Sequence, residues 1–214
     1  MYNKLNRNFY KKNAVDLAID LLGKYLVYNI KKPERLNYKM NTLIGKIVET
    51  EAYMGFFDKG AHTYNGRRTE RTEVMYGEAG HAYIYLIYGM YNCLNVVAAE
   101  KEVGQAVLIR ALEPIKGKND MSIFRYNKPL IDLSKNQLKN LTNGPGKLCK
   151  AFDITRDLNG EDLTKNRLFI CEKNSGEKKI NIVKAKRIGI DYAEEAKDFL
   201  WRFYIKDNKH VSVY

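Results

Sequence analysis

Apolar residues first recur at helical spacing. Ala14, Leu17, Ala18, Leu21 and Leu22 stand three and four apart, which predicts an amphipathic helix over 13–23. Asn13 is placed to cap it, Asp16 stands three residues on to reach back, and Gly23 can end it. The period drops to two at 43–54 (LIGKIVETEAYM), the alternation of a strand. Residues 55–80 are rich in Gly and charge and read as loop. Segment 81–98 (HAYIYLIYGMYNCLNVVA) is aromatic and β-branched on both sides of Gly89, which predicts a protruding β-hairpin turning at Tyr88-Gly89. Another strand is predicted over 106–114 (AVLIRALEP), stopped by Pro114. GPGKLCKAF, 144–152, reads as a loop entering a short helix. Strand-like runs recur at 168–172, 180–190, 202–205 and 211–213. Strands mixed with few helices predict an α+β fold.

Composition narrows this. One domain over 1–214 is expected, long enough to bury its own core. Hydrophobic residues at 45% and only four prolines exclude a disordered or collagen-like chain. No run of about 18 apolar residues predicts a membrane span. The N-terminal MYNKLNRNFYKKN lacks the apolar stretch of a signal peptide, so a cytoplasmic protein is expected. Cys93, Cys149 and Cys171 form no C-x-x-C pair, which argues against a zinc ribbon and suits a reducing compartment.

The net charge of +12 invites a polyanion, most simply nucleic acid, although a Lys-, Asn- and Ile-rich composition alone can produce such an excess. Its placement says more. Residues 1–40 hold nine basic and three acidic residues, 115–214 hold 21 and 13, and 41–114 hold seven and nine. The middle is therefore nearly neutral, and it carries seven of the 16 tyrosines.

The candidate chemistry lies in that middle. In a strand, Glu49, Glu51 and Tyr53 share one face. If the face lines a cleft, Glu51 can act as a general base on water; if it is a solvent-facing strand edge, the carboxylates only solvate it. His62 precedes Arg67, Arg68 and Arg71 in a Gly-containing run that suits phosphate contacts or is merely a solvated loop. Tyr88 at the hairpin tip reads either as a wedge that enters a duplex or, with Tyr83, Tyr85 and Tyr91, as sheet core with its hydroxyls at the rim. Lys147, near a helix start, is a candidate phosphate contact. No nucleophile elbow, P-loop or dinucleotide fingerprint is present. His62, His81 and His210 have no paired spacing, so no metal and no cofactor are expected.

These blocks together resemble the alkyladenine (3-methyladenine) DNA glycosylase family. The matching segments are ETEAY at 49–53, AH at 61–62, YIYLIYGMYNCLN at 83–95, RALEP at 110–114, GPGKLC at 144–149, RIGI at 187–190 and RFYI…VSV at 202–213. They run in family order across nearly the whole chain. The resemblance implies one α+β domain with a curved, mainly antiparallel sheet and flanking helices. It implies an enzyme that flips damaged purines out of double-stranded DNA and hydrolyses the N-glycosidic bond, starting base excision repair. It implies neither metal nor membrane, and a monomer is expected.

The same resemblance places roles. Glu51 falls on the general base, Arg110 on the side chain that helps hold the attacking water, and Ile188 on the main-chain carbonyl that completes the water site. Tyr53, His62 and Tyr85 fall on the walls around the flipped base, Asn95 on the residue that crowds out a guanine amino group, and the backbone at Ala61 and His62 on the contact to the purine edge. Tyr88, flanked by Met90 and Tyr91, falls on the residue that fills the gap in the duplex. Arg67, Arg71, Arg125 and Lys147 fall on basic positions facing DNA. Two positions depart from the pattern: Tyr64 stands where some members carry a basic residue, and Gly146 replaces a common serine. The pocket motifs contain no lysine to attack the sugar, so a monofunctional glycosylase is expected. A non-catalytic DNA-binding module, or an enzyme acting on RNA or free nucleosides, would use the same scaffold differently.

Overall fold

The computed structural model describes residues 2–30, 42–173 and 180–213. Its helices are α1 (Arg7–Tyr10), α2 (Ala14–Asp20), α3 (Lys118–Tyr126), α4 (Lys135–Lys139) and α5 (Pro145–Ala151). Its strands are β1 (Tyr2–Lys4), β2 (Tyr25–Asn29), β3 (Thr42–Tyr53), β4 (Ala82–Ile87), β5 (Tyr91–Ala98), β6 (Gln105–Lys116), β7 (Leu168–Lys173), β8 (Ile182–Ala185) and β9 (Arg202–Ile205). The fold is α+β. The sheet runs β1-β7-β2-β3-β6-β5-β4, with β9 pairing β3 and β8, and every pairing is antiparallel.

The long strand β3 is the spine. β6 takes one edge, and β2 then β9 share the other. Near the middle of β3 its register against β6 slips twice in succession. Ile47 faces Leu112 and Glu49 faces Ala111, so Val48 is extra on β3; Thr50 then faces Ile109, so Arg110 is extra on β6. A one-residue slip exchanges the faces of everything beyond it. Before the bulge, Leu43 and Ile47 join the main core. Beyond it Ala52 joins that core, and the Thr50 hydroxyl donates to the Ala18 carbonyl of α2 at 2.8 Å. Glu49, Glu51 and Tyr53 are thereby delivered to the opposite face, where a straight strand would drive them into the core. The bulge on β6 turns Arg110 to the same side.

Three sequence expectations are corrected. Pro114 does not stop its strand: β6 continues to Lys116, and a third slip, with Gly45 facing Pro114 and Ile44 facing Lys116, absorbs the missing N–H. The runs at 186–190 and 211–213 are not strands, because their backbone serves the site and its supports instead. Asp16 does not reach back to the Asn13 backbone; its carboxylate accepts from the Asn13 side-chain amide at 2.7 Å, while Asn13 Oδ1 accepts from Asp16 N–H. The 55–80 loop is built of three single-turn 3₁₀ segments, Gly55–Phe57, Tyr64–Gly66 and Glu73–Tyr76. β1, β2, α1, α3 and α4 carry no sequence expectation.

The hairpin forms as expected from β4 and β5. Its turn places Tyr88 (φ 52°) and Gly89 (φ 69°) both in the left-handed region, with Met90 N–H donating to the Ile87 carbonyl at 3.2 Å. Gly89 adopts this freely. A bulky tyrosine does so against strain, a conformation that concentrates at functional sites.

Candidate active site

A cavity of about 730 Å³ opens between the hairpin, β6, the start of α5 and the loops at 60–62 and 188–192. That is the size of a small-molecule site. Its floor is charged. The Glu51 side chain is fully buried, with Oε1 accepting from the Ile188 backbone N–H at 2.7 Å and Oε2 accepting from the Tyr53 hydroxyl at 3.0 Å. Arg110 Nη1 stands 3.2 Å from the same Oε1. Three cavity-lining residues thus hold Glu51 from above. Burial, then the neighbouring Glu51 charge, keeps the Tyr53 phenol well above its usual pKa, so it stays a donor. Burial opposes the Arg110 charge, but Glu51 and Glu49 outweigh it and leave its pKa raised.

The solvent-facing reading of this strand is therefore overturned: both carboxylates are fully buried. Glu49 has a different task from Glu51. It accepts from Arg110 Nε at 3.2 Å, Arg202 Nη1 at 3.0 Å, Ser212 N–H at 2.7 Å and the Ser212 hydroxyl at 3.0 Å. Two arginines and a serine saturate it. Neither carboxylate is itself a lining residue, but all three donors to Glu51 line the cavity, whereas Arg202 and Ser212, which hold Glu49, do not. Ile188 enters through its N–H to Glu51, a contact that the expectation of a water-binding carbonyl did not include.

Tyr53, His62, Tyr83 and Tyr85 form the walls. The His62 and Tyr85 rings meet edge to face at 4.6 Å. His62 Nδ1 lies 3.0 Å from the Tyr83 hydroxyl, and Arg71 Nη2 lies 3.0 Å from Nε2. The same Nη2 also lies 3.3 Å from Nδ1; a guanidinium only donates, so the ring nitrogen that takes its bond carries no proton. Burial, then Arg71 and Arg67, push the His62 pKa down to about 4, and the ring is neutral near pH 7. Asn95 is buried at the wall, its amide donating to the Tyr83 and Cys93 carbonyls at 3.1 and 3.4 Å. Ala61 N–H already donates to the Asp58 carbonyl, whereas among the described residues none accepts from the His62 N–H.

At the rim Tyr88, Met90 and Tyr91 are 79%, 66% and 46% exposed. Tyr88 and Tyr91 line the cavity mouth. The all-core reading of the hairpin tyrosines fails at Tyr88 and holds for Tyr83, which is buried.

The four basic positions divide. Arg67 is exposed and has no side-chain partner among the described residues. Arg125 and Lys147 line the cavity with no carboxylate in ion-pair reach among the described residues. Lys147 Nζ donates to Asn140 and Asn143 at 2.8 and 3.0 Å, and burial followed by Arg125 lowers its pKa. Arg71 is exposed, and its guanidinium lies 4.9 Å over the Tyr85 ring and bonds His62. Arg68 is closed off by Glu73 and Glu102.

Among the lining residues that carry no predicted site role are Tyr83, Cys93 and Tyr192. Tyr83 is read from sequence as a hairpin tyrosine and Cys93 as a free thiol; burial pushes the Cys93 thiol up to about 11, so it is a wall, not a nucleophile. Tyr192, 70% exposed beside the cavity, lies in a loop with no periodic signal. Among the described residues no three His, Cys, Asp or Glu side chains converge to hold a metal ion, and no helix is long and apolar enough to cross a membrane.

The model of the methylpurine-DNA glycosylase (MPG) family matches residues 8–209. The chain belongs to the methylpurine-DNA glycosylase family. It is similar, at 56% identity over 211 residues and 98% of each chain, to a Clostridium acetobutylicum protein named "Putative 3-methyladenine DNA glycosylase". A protein of the same name from Clostridium novyi is 53% identical over 209 residues, again 98% of each chain. Membership accounts for the order of the blocks that form the floor, the walls and the hairpin.

Proposed function

We propose that this family member removes damaged purines from duplex DNA by hydrolysing the N-glycosidic bond, the opening step of base excision repair. The observation that carries the reading is Glu51: a buried carboxylate, held by three donors, directly beneath an aromatic cavity. Glu49 and Asp58 are as deeply buried and as fully bonded, but of the three only Glu51 has every one of its donors among the cavity-lining residues.

A base stacked in a duplex is out of reach, so its nucleotide rotates into the cavity at a cost of a few kcal/mol. Tyr88 enters the vacated stack, where base–aromatic stacking contributes about 1–3 kcal/mol. Tyr53, His62 and Tyr85 enclose the base, and Asn95 narrows the pocket against a guanine amino group. A purine alkylated at N3 or N7 is cationic, and a tyrosine face adds roughly 0.5–2 kcal/mol of cation–π attraction. Arg71 now holds the Tyr85 ring, so the incoming base replaces one planar cation with another and frees Arg71 for the DNA backbone. Arg67, Arg125 and Lys147 supply further backbone contacts.

Glu51 takes a proton from water and stabilises the developing oxocarbenium charge on the sugar. Arg110 and the Ile188 backbone hold carboxylate and water in register. Water oxygen bonds to C1′ as the C1′–N bond breaks, and a cationic purine departs as the neutral free base. Lys147 is the lysine that lines the cavity, and its Nζ is engaged by Asn140 and Asn143; water activated by Glu51, not that amine, attacks the sugar, so the strand stays intact.

The test is incubation of duplexes carrying hypoxanthine or 7-methylguanine with the protein. Free base released from an unbroken strand, cut only on later alkali treatment, is expected. Tight, lesion-indifferent binding without release would replace this reading with a DNA-binding module. Spontaneous strand cleavage would overturn the monofunctional assignment.

A further inference from the structure

We propose that the Arg187–Asp58 pair is the positioning device of this site, holding Glu51 and the His62 wall in one geometry. The inference rests on the hydrolytic reading above. Both side chains are fully buried, and they meet through two parallel bonds, Nη1 to Oδ2 at 2.6 Å and Nη2 to Oδ1 at 2.7 Å. Neither lines the cavity.

What the pair touches shows its use. Arg187 also donates to the Ala52 carbonyl at 2.9 Å and the Ala196 carbonyl at 3.1 Å. Its guanidinium packs against two rings, Tyr53 at 4.9 Å and Trp201 at 5.0 Å. Asp58 accepts from Met54 N–H at 3.0 Å and Gly60 N–H at 2.9 Å. Three chain segments that carry the site are thereby tied at one point: the end of β3, the turn leading to His62, and the loop carrying Ile188. Two of the three groups that hold Glu51 hang directly from this knot, since Tyr53 packs on Arg187 and Ile188 follows it in the chain. A fork with fixed planar geometry can set several segments at once, which a lysine ammonium cannot. Gly60 makes the approach feasible, because a Cβ there would stand 3.1 Å from Arg187 Nη2.

A stabilising ion pair and a positioning pair differ in what they change. We would make Arg187→Lys, and a double variant Asp58→Asn/Arg187→Gln that removes both charges together so that neither is left unpaired. Each is measured for melting temperature, for single-turnover base release at saturating enzyme, and for affinity toward a duplex with a tetrahydrofuran abasic site. The expected result in a folded variant is release slowed about 10- to 100-fold with affinity within about threefold of wild type. If the double variant does not fold, Arg187→Lys is judged by the same two numbers. Release within threefold of wild type would overturn the proposal. So would a parallel fall in rate and affinity, which marks a pair that only supports the fold. A wild type that releases no base would remove the hydrolytic reading, and this inference with it.

Discussion

Glu51, behind the residues that line the cavity, and Tyr88, at its mouth, are built on opposite terms. The carboxylate is dry and holds three donors, on a strand that a bulge has turned toward the site. The phenol is 79% exposed, sits at positive φ, and makes no hydrogen bond among the described residues. A group that stabilises a developing charge works best when its surroundings are already fixed, since nothing then reorganises at the moment of reaction. A group that fills a gap in another molecule gains its contacts only on binding. On the proposed function the difference separates two steps: damage to the floor should slow chemistry, and damage to the tip should weaken capture of DNA.

The largest expected effect is on the floor. Glu51→Gln keeps the shape but loses the base, and release should fall about 10³-fold; a quench-flow assay reads it. Next is Glu49, which shares Arg110 with Glu51 but is otherwise held by Arg202 and Ser212, away from the cavity lining. Glu49→Gln should lower stability by about 3 kcal/mol by leaving Arg110 and Arg202 poorly compensated. Denaturant melts check this, and a catalytic loss without a stability loss would blur the distinction between the two carboxylates. At the tip, Tyr88→Ser should weaken lesion-duplex binding about 10-fold, equivalent to losing one stacking contact, while sparing any reaction on a free nucleoside. Gly146→Ala probes the hairpin's seat, because the added Cβ would stand 3.0 Å from Tyr91 Cβ. Displacing the hairpin there should cost about threefold in affinity, by fluorescence anisotropy.

The smallest effect concerns His62. Its folded pKa, about 4, lies below the ordinary 6.5. Between those values the unfolded chain binds a proton that the folded chain refuses, so stability falls as pH drops from 6.5 to 4. Melting temperatures across that window should fall less steeply in His62→Gln.

The same contrast explains what was legible in the sequence. The hairpin could be read because a turn is local: Gly89 between two aromatic runs suffices. The helix over α2 could be read for the same reason. Alternation correctly put Glu49, Glu51 and Tyr53 on one face, yet it could not say which face, since that is decided by the extra residue Val48 against β6, a property of pairing. Pro114 looked like a terminator because its missing N–H matters only where a partner strand expects it. Arg187 opens the RIGI block, but it stands 129 residues from Asp58 and nothing in the sequence pairs the two. Arg71 was read by its charge as a phosphate contact, and only the fold brings Tyr85 and His62 beneath it.

The separation of floor from tip is tested most directly with a duplex carrying ethenoadenine, whose fluorescence changes as it leaves the stack. Flipping and free-base release are followed in one stopped-flow and quench experiment with Glu51→Gln and Tyr88→Ser. Glu51→Gln should flip the base with wild-type amplitude and release almost none, and Tyr88→Ser should lose flipping amplitude. A Glu51→Gln protein that fails to flip, or a Tyr88→Ser protein that flips like wild type, would contradict the account.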